Sequence, residues 1–369
     1  MNFSRLLSAA GAALVVAVLA VSPALAAEHA AAGAVFVQTD NPAGNRVVVY
    51  DRGGDGRLHR AADYRTGGLG GVLAGSVVDH LASQGSLTYD RGNRLLYAVN
   101  AGSDTITVFG VHGDRLVRRQ VVPSFGTFPV SVTTHGRLVY VLNARRGGSI
   151  QGYLRVGGRL VPVPQWHRGL GLDPAATPEF TTTPGEVAFT PDGDQLIVTT
   201  KANGNAVDVF GIDRLGGPSA QPATTVLAGA VPFAVAFTAQ GNLAIAEAGP
   251  NAVATFRLDH RGALSKLAEA PTGQAATCWI VNVGGRLYVS NAGSGSVSVF
   301  DGALAPVGLT PTRAGTVDAA GSADGRFLYV QTGAAGGVDA FRVGADGTLS
   351  AIDTVTVPGA TGGEGIAAF

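Results

Sequence analysis

The chain of 369 residues carries single ionisable and amide side chains that could do chemistry, but no complete catalytic motif. It contains no GxSxG nucleophile elbow, HExxH zinc motif, Walker loop or Cys/His metal spacing. The chemistry open to it is activation of water by a lone acid or base, with a nearby cation or amide holding the developing negative charge. The candidate acids and bases are Glu186, Glu247 and His80. The candidate substrate-binding residues are Arg145, Arg146, Lys201, Asn143 and Asn291.

These candidates have to be positioned by a repeated unit, which is clearest between residues 284 and 300. Residues 287–290 and 297–300 alternate apolar and polar side chains, and a Gly/Asn/Ser cluster separates them. The alternation predicts two strands, and the cluster predicts the turn of a β-hairpin. Counterparts bring the number of hairpins to seven, over residues 35–50, 96–109, 139–153, 196–210, 243–256, 287–300 and 328–341.

Most hairpins have an apolar run and a tight turn before them and a weaker strand after them. Four antiparallel strands at a spacing of several tens of residues are typical of propeller blades, because one such sheet cannot bury both faces alone. The sequence therefore predicts an all-β fold, a seven-bladed β-propeller that forms one domain over residues 27–369. The first hairpin lacks an inner strand, and we expect residues 365–369 to supply it and close the ring.

Residues 1–26 have the pattern of a secretory signal peptide. Arg5 precedes an apolar run over residues 6–21, and Ala24-Leu25-Ala26 is a typical cleavage site. The sole cysteine, Cys278, lies deep in the chain, so it provides neither a lipid attachment site after the leader nor an internal disulfide. We expect a secreted or extracytoplasmic protein without a membrane anchor.

The charges are balanced, since 26 Lys and Arg face 26 Asp and Glu, and only 14% of residues are charged. This composition argues against a nucleic-acid partner or a polybasic membrane surface. We expect a monomer without a cofactor. A metal-assisted variant stays open, because Glu186, Asp318 and Glu364 could converge on the ring axis and offer oxygen ligands to calcium.

Several candidates also have a plain structural interpretation. Asn100, Asn143 and Asn291 occupy equivalent repeat positions, which predicts a shared role in the turn, since Asn tolerates the left-handed region and bonds its own backbone. Arg145 and Arg146 interrupt the Ala-Gly pattern of their repeat, which marks them as candidates, but solvated surface arginines fit the pattern equally well.

Two long insertions interrupt the repeats. The glycine-rich residues 66–75 lack the GxGxxG spacing of a dinucleotide site, so we interpret them as a rim loop, and residues 162–185 form the second insertion. Sorting the histidines by repeat position leaves only His80 and His167 between blades, so a histidine base would be one of these two. Cys278 has no activating base beside it in sequence, which favours burial as a small hydrophobe.

The hairpins and several other stretches resemble secreted bacterial members of the β-propeller lactonase family, which is related to 6-phosphogluconolactonase and 3-carboxymuconate cyclase. The stretches are LASQGSL at 81–87, AVNAGS at 98–103, PVSV at 129–132, TCW at 277–279 and YVSNAGS at 288–294. The resemblance implies seven blades and the opening or formation of lactones by His, Arg and Glu at the axial mouth. The family's Pro-His-x-His is replaced by Phe-Pro-Val-Ser at 128–131, its Arg-His by Glu186-Val187, and its glutamate after the second strand by Thr200-Lys201. The hairpins also resemble the YVTN-type repeats of bacterial surface propellers.

Two functions follow as hypotheses. In the first, the protein is an extracytoplasmic lactone hydrolase or isomerase, in which one of the candidate acids or bases activates water and one of the candidate cations holds the oxyanion or a substrate carboxylate. In the second, it is a non-catalytic propeller that binds a small polar ligand or a partner protein.

Overall fold

The computed structural model describes residues 32–369, which form seven four-stranded antiparallel sheets in a ring. The predicted signal peptide, residues 1–26, lies outside the described residues. The strands are β1 (Gly33–Gln38), β2 (Arg46–Arg52), β3 (Leu58–Arg65), β4 (Leu87–Asp90), β5 (Leu95–Asn100), β6 (Thr105–His112), β7 (Arg115–Pro123), β8 (Pro129–His135), β9 (Leu138–Asn143), β10 (Ser149–Val156), β11 (Arg159–Gly169), β12 (Val187–Phe189), β13 (Gln195–Thr199), β14 (Ala206–Gly211), β15 (Ala223–Val226), β16 (Pro232–Phe237), β17 (Leu243–Glu247), β18 (Ala252–Leu258), β19 (Leu264–Pro271), β20 (Thr277–Val283), β21 (Arg286–Asn291), β22 (Ser296–Phe300), β23 (Pro306–Pro311), β24 (Thr316–Gly321), β25 (Phe327–Thr332), β26 (Gly337–Val343), β27 (Leu349–Thr356) and β28 (Ile366–Ala368).

The C-terminal strand closes the ring, as the sequence predicts. Strand β28 pairs antiparallel with β1, with Phe36 opposite Ala367 and Val37 opposite Ile366, and forms the innermost strand of the first blade. The Phe369 ring stacks on Phe36, with 5.9 Å between the ring centroids. Each other blade takes four consecutive strands, from the inner strand outward. The predicted all-β, seven-bladed fold is confirmed.

The inner strands are buried on both faces, whereas the alternating sequence pattern predicts strands that each bury one face. All six residues of β5 and all six of β25 are buried, because neighbouring blades cover both faces of the inner part of each sheet. The outermost strands are mostly exposed, as in β7, where only Leu116 and Val122 are buried. The hydrophobic core therefore lies between blades rather than on one side of each sheet.

One end of the ring carries the loops between second and third strands and the connections between blades, and we call it the loop face. Two long connections lie there, residues 66–86 and 170–186, and the second contains one helical turn, α1 (Glu179–Thr182). The predicted second insertion starts too early, at residue 162, because β11 runs to Gly169. His167 is therefore an exposed residue of an outer strand, and its predicted position in an insertion between blades is wrong.

Candidate active site along the ring axis

A segment of the first long connection, residues 79–84, enters the ring axis from the loop face, and we call it the plug. Ser83 Oγ donates to the Val130 carbonyl at 3.0 Å, and Trp279 Nε1 donates to the Ser83 carbonyl at 2.7 Å. The Gln84 amide bonds both backbone groups of Ile280, with Nε2 to the carbonyl at 3.1 Å and the backbone N–H to Oε1 at 3.0 Å. The axial mouth on the loop face is thus filled by the chain itself.

Glu186 lies at the inner end of the plug, just before β12. Its Oε2 accepts the backbone N–H of Val235 at 2.7 Å, and Gln84 Nε2 lies 3.3 Å from the same oxygen. Burial raises the pKa of Glu186 well above its ordinary value, and the neighbouring Asp318 carboxyl raises it further. Such a carboxyl group can hold or release a proton at a pH where an exposed glutamate is already ionised.

Asp318 and Glu364 form a pair of buried carboxyl groups beside Glu186. The two side chains hydrogen-bond each other, so one of them carries a proton. Gly85 N donates to Glu364 Oε1 at 3.2 Å, and Ala319 N donates to Asp318 Oδ1 at 2.9 Å. Burial raises the pKa of Asp318 to about 6 and that of Glu364 well above its usual range, the latter also through Asp318.

The sequence alone is compatible with calcium binding by Glu186, Asp318 and Glu364. Within residues 32–369, no group of three or more His, Cys, Asp or Glu side chains has an arrangement that could hold a metal ion. The carboxyl groups are partnered by amides and by each other instead.

A cavity of about 350 Å³ extends from these carboxyl groups toward the face opposite the loop face, and we call it the axial cavity. Gln84, Glu186 and Asp318 line its closed end, while Thr88 and Thr133 lie on its walls. The exposed Arg91, in the turn after β4, also lines it. Of the sequence candidates for catalysis, only Glu186 lines this cavity.

Lys201 lies on the other side of the plug, although the sequence groups it with Glu186. It is buried, and its Nζ donates to the carbonyls of Ala82 and Phe180 at 2.6 and 2.7 Å and to Thr183 Oγ1 at 3.2 Å. Burial lowers its pKa to about 7. The three hydrogen bonds use all three ammonium donors, so Lys201 anchors the plug to the second long connection.

The two other candidate acids or bases lie away from Glu186. Glu247 ends β17 and lies 3.9 Å from Lys266 Nζ on the outer strand β19, and burial raises its pKa to about 7. The backbone N–H of His80 donates to the Gly362 carbonyl at 2.7 Å, and burial lowers the pKa of the half-buried His80 imidazole. The structure therefore does not bring the three sequence candidates together.

The candidate arginines lie on the loop face. Arg145 makes an ion pair with Glu179 of α1, with 2.6 Å between Nε and Oε1, and its guanidinium lies 4.2 Å from the centre of the Phe128 ring. It also donates to the Val72 carbonyl at 3.3 Å, so it joins the two long connections to each other. Arg146 is exposed.

The candidate asparagines bond within or next to their own hairpins. Asn291 donates to Ser298 Oγ at 3.0 Å and accepts from Thr277 Oγ1 at 2.7 Å, and Asn143 donates to Ser149 Oγ at 3.3 Å. All of these side chains are buried or nearly so. The backbone of the equivalent Asn100 is extended, with φ of −126°, so at this position the asparagine side chain bridges strands and the left-handed region is not used.

The residues that define the axis do not stand out as candidates in the sequence; they are Gln84, Ser83 and Asp79. Gln84 stands in the stretch 81–87, which contributed to the family resemblance but gave no chemical signal of its own. Its partners Glu186, Val235 and Ile280 are 102, 151 and 196 residues away in the chain. No local pattern could have brought them together.

Comparison with known proteins supports the fold. No family model matches the chain, and no curated protein matches it. Solved structures do match. A Bacteroides fragilis protein provisionally described as a 6-phosphogluconolactonase is 18% identical with a TM-score of 0.73, covering 92% of this chain and 98% of that one. The periplasmic gluconolactonase of Pseudomonas aeruginosa is 19% identical with a TM-score of 0.69, covering 90% and 98%.

A more distant match is virginiamycin B lyase from Staphylococcus aureus, at 12% identity and a TM-score of 0.56, covering 79% of this chain and 90% of that one. At these identities the comparisons establish a shared fold. The chain is a seven-bladed β-propeller, and this fold fits the lactonase-like propellers that the sequence resembles. Within residues 32–369, no helix is long and apolar enough to cross a membrane.

Proposed function

We propose that the protein is a lactonase-like hydrolase that acts on a small lactone in the axial cavity. The observation that carries this proposal is the position of Glu186, a buried carboxyl group with a raised pKa at the closed end of a cavity that also reaches threonine hydroxyls and an arginine. A volume of about 350 Å³ falls at the lower end of the range for small-molecule sites.

Glu186 acts as the general base in hydrolysis of the lactone. The Glu186 carboxylate, once ionised, takes a proton from a water molecule, and the resulting hydroxide attacks the lactone carbonyl carbon. The carbonyl oxygen then carries the negative charge, and the hydroxyl group of Thr133, on the cavity wall, donates a hydrogen bond to it. Collapse of this intermediate breaks the ring C–O bond, and Glu186 returns its proton to the leaving alkoxide. The product is an open-chain hydroxy acid.

The test is turnover of sugar, aliphatic and aromatic lactones by the purified protein, followed as proton release above the uncatalysed rate. We expect Glu186→Gln to lower kcat/KM by about 100-fold or more, because it removes the base and keeps the shape. The matched control is Asp208→Asn, since Asp208 is another buried carboxyl group with a pKa raised by burial, on β14, bonded to Thr224 at 2.5 Å. Wild-type turnover in Glu186→Gln would overturn the assignment.

The second candidate function is a non-catalytic propeller that binds a small polar ligand or a partner protein. A specific observation favours it: the plug fills the mouth on the loop face, where the resemblance implies the family's histidine, arginine and glutamate. Absence of turnover on every lactone, with binding of the same compounds detected by calorimetry, would support this function in place of the first.

We also propose that the protein acts outside the cytoplasmic membrane. The leader pattern of residues 1–26 supports this location. A periplasmic gluconolactonase among the proteins of the same fold is consistent with it.

A further inference from the structure

A second cavity, of about 180 Å³, lies on the loop face and is separated from the axial cavity by the plug. Its walls come from the inner strands and hairpin loops of the fifth and sixth blades, from the plug and from α1. The aromatic rings of Phe233 and Trp279 form one side, with 4.9 Å between their centroids. Val77, at 78% exposure, stands among the lining residues, so the cavity is open to solvent past an apolar rim.

Most polar side chains that line this cavity already have protein partners. All three donors of Lys201 Nζ are used, as described above. Asp79 accepts the backbone N–H groups of Leu81 and Ser83 at 2.7 and 2.9 Å, and Trp279 Nε1 donates to the plug. Burial raises the pKa of the Cys278 thiol to about 12, so it stays neutral. A charged ligand would lose its hydration here without gaining a free partner.

The repeat explains why the cavity exists. Phe128, Val231 and Ala276 each stand directly before an inner strand, in blades three, five and six, and share a positive φ of 63°, 49° and 54°. In blade three the Phe128 ring fills the space over the hairpin loop and belongs to the buried core around Ala144. In blades five and six the same position carries smaller side chains, and the equivalent space is empty.

We propose that this second cavity binds a small neutral apolar molecule the size of one aromatic or aliphatic ring. Its volume of about 180 Å³ is close to the roughly 150 Å³ of an apolar protein cavity that admits benzene. The bound molecule contacts Phe233, Trp279, Ala248 and Ala292. It supplies van der Waals contacts that these lining side chains do not make with each other. This site is independent of the proposed lactone chemistry.

The test is thermal unfolding of the whole protein with toluene as the probe, with Trp fluorescence as a second readout because Trp279 lines the cavity. Toluene at ten times its Kd should raise Tm by about 2 °C, and benzoate and benzylamine should bind at least tenfold more weakly. Ala276→Phe, which places at this position the residue that the fold already accepts at Phe128, should abolish the shift.

The matched control is Ala275→Phe, which adds the same ring one residue earlier, at an exposed position that does not line the cavity. It should keep the toluene shift. If Ala276→Phe does not fold, Val231→Phe tests the same space from the neighbouring blade. No toluene shift in the folded wild-type protein, or an undiminished shift in a folded Ala276→Phe or Val231→Phe variant, would overturn the proposal.

Discussion

Gln84 holds the plug in the ring axis, and replacing it with alanine tests that role directly. The variant removes one side-chain amide that bonds both backbone groups of Ile280, at 3.0 and 3.1 Å, and that lies 3.3 Å from Glu186. A buried backbone group left without a partner costs about 1–3 kcal/mol. The axial cavity adjoins Gln84, so water can enter and restore part of the lost bonding. We therefore expect the free energy of unfolding to fall by about 2–4 kcal/mol.

Gln120 offers a matched control, because its amide also bonds the N–H and the carbonyl of one residue but lies near the surface. Its Oε1 accepts the Leu160 N–H at 2.7 Å and its Nε2 donates to the Leu160 carbonyl at 3.0 Å, between the outer strands β7 and β11. Gln120 is half-buried, so water replaces its bonds at once, and Gln120→Ala should cost about 1 kcal/mol or less.

Urea unfolding of the two variants and the wild-type protein measures both costs, and amide hydrogen exchange reports the position of the damage. The Ile280 N–H should lose protection in Gln84→Ala alone, and the Leu160 N–H in Gln120→Ala alone. Equal costs for the two variants, or an unchanged Ile280 N–H, would refute the role of Gln84 as the anchor of the plug.

Two further predictions concern pH and the leader. The pKa of Glu247 is raised to about 7, so the folded state keeps a proton that the unfolded chain releases from about pH 4.5, and stability falls as pH rises through this window. Glu247→Gln should reduce the fall in unfolding free energy between pH 5 and 8, as measured by urea titration at each pH; an unchanged slope would contradict the burial of this carboxyl group. Mass spectrometry of exported protein should find a mature chain that starts at Ala27, and an intact residue 1 would contradict the signal-peptide prediction.

The fold could be predicted because its information is local and repeated. Each hairpin carries its own alternation and its own turn residues, and seven copies make the period visible even where one copy is irregular. Ring closure was also predictable, because the first hairpin lacks an inner strand and residues 365–369 have no hairpin of their own. None of these inferences requires knowledge of a contact between distant residues.

The start of the second insertion could not be predicted, because two prolines in this stretch indicate a loop where the structure has a strand. Pro162 and Pro164 mark a loop when they are considered alone, yet both lie in β11. This strand is the outer edge of its blade. A proline is tolerated on an edge strand where its nitrogen points away from the neighbouring strand, because no hydrogen bond between strands is then lost. The extra length of β11 places His167 on the outer strand, where it is exposed, and not in the connection between blades that starts at residue 170.

The candidate site was only partly predictable, because it depends on where an irregular segment runs. Glu186 is one of the candidate acids and bases, and it does line the axial cavity. Lys201 is one of the candidate substrate-binding residues, yet the plug separates it from Glu186 and uses all its donors. The six residues of the plug show no hydrophobic periodicity, so their sequence does not indicate that they fill the ring axis.

The plug divides the space along the ring axis into two separate cavities. An open ring has one axial channel, in which residues from both ends can act on the same ligand. Here Ser83 and Gln84 bond the inner strands and divide that space into a carboxyl-lined cavity on one side and an apolar cavity on the other. A ligand on the loop face cannot reach Glu186 while those bonds are made, and a ligand in the axial cavity cannot reach Lys201. Chemistry that requires both residues is therefore excluded unless the plug leaves the axis, so Glu186 has to work with the side chains that line its own cavity.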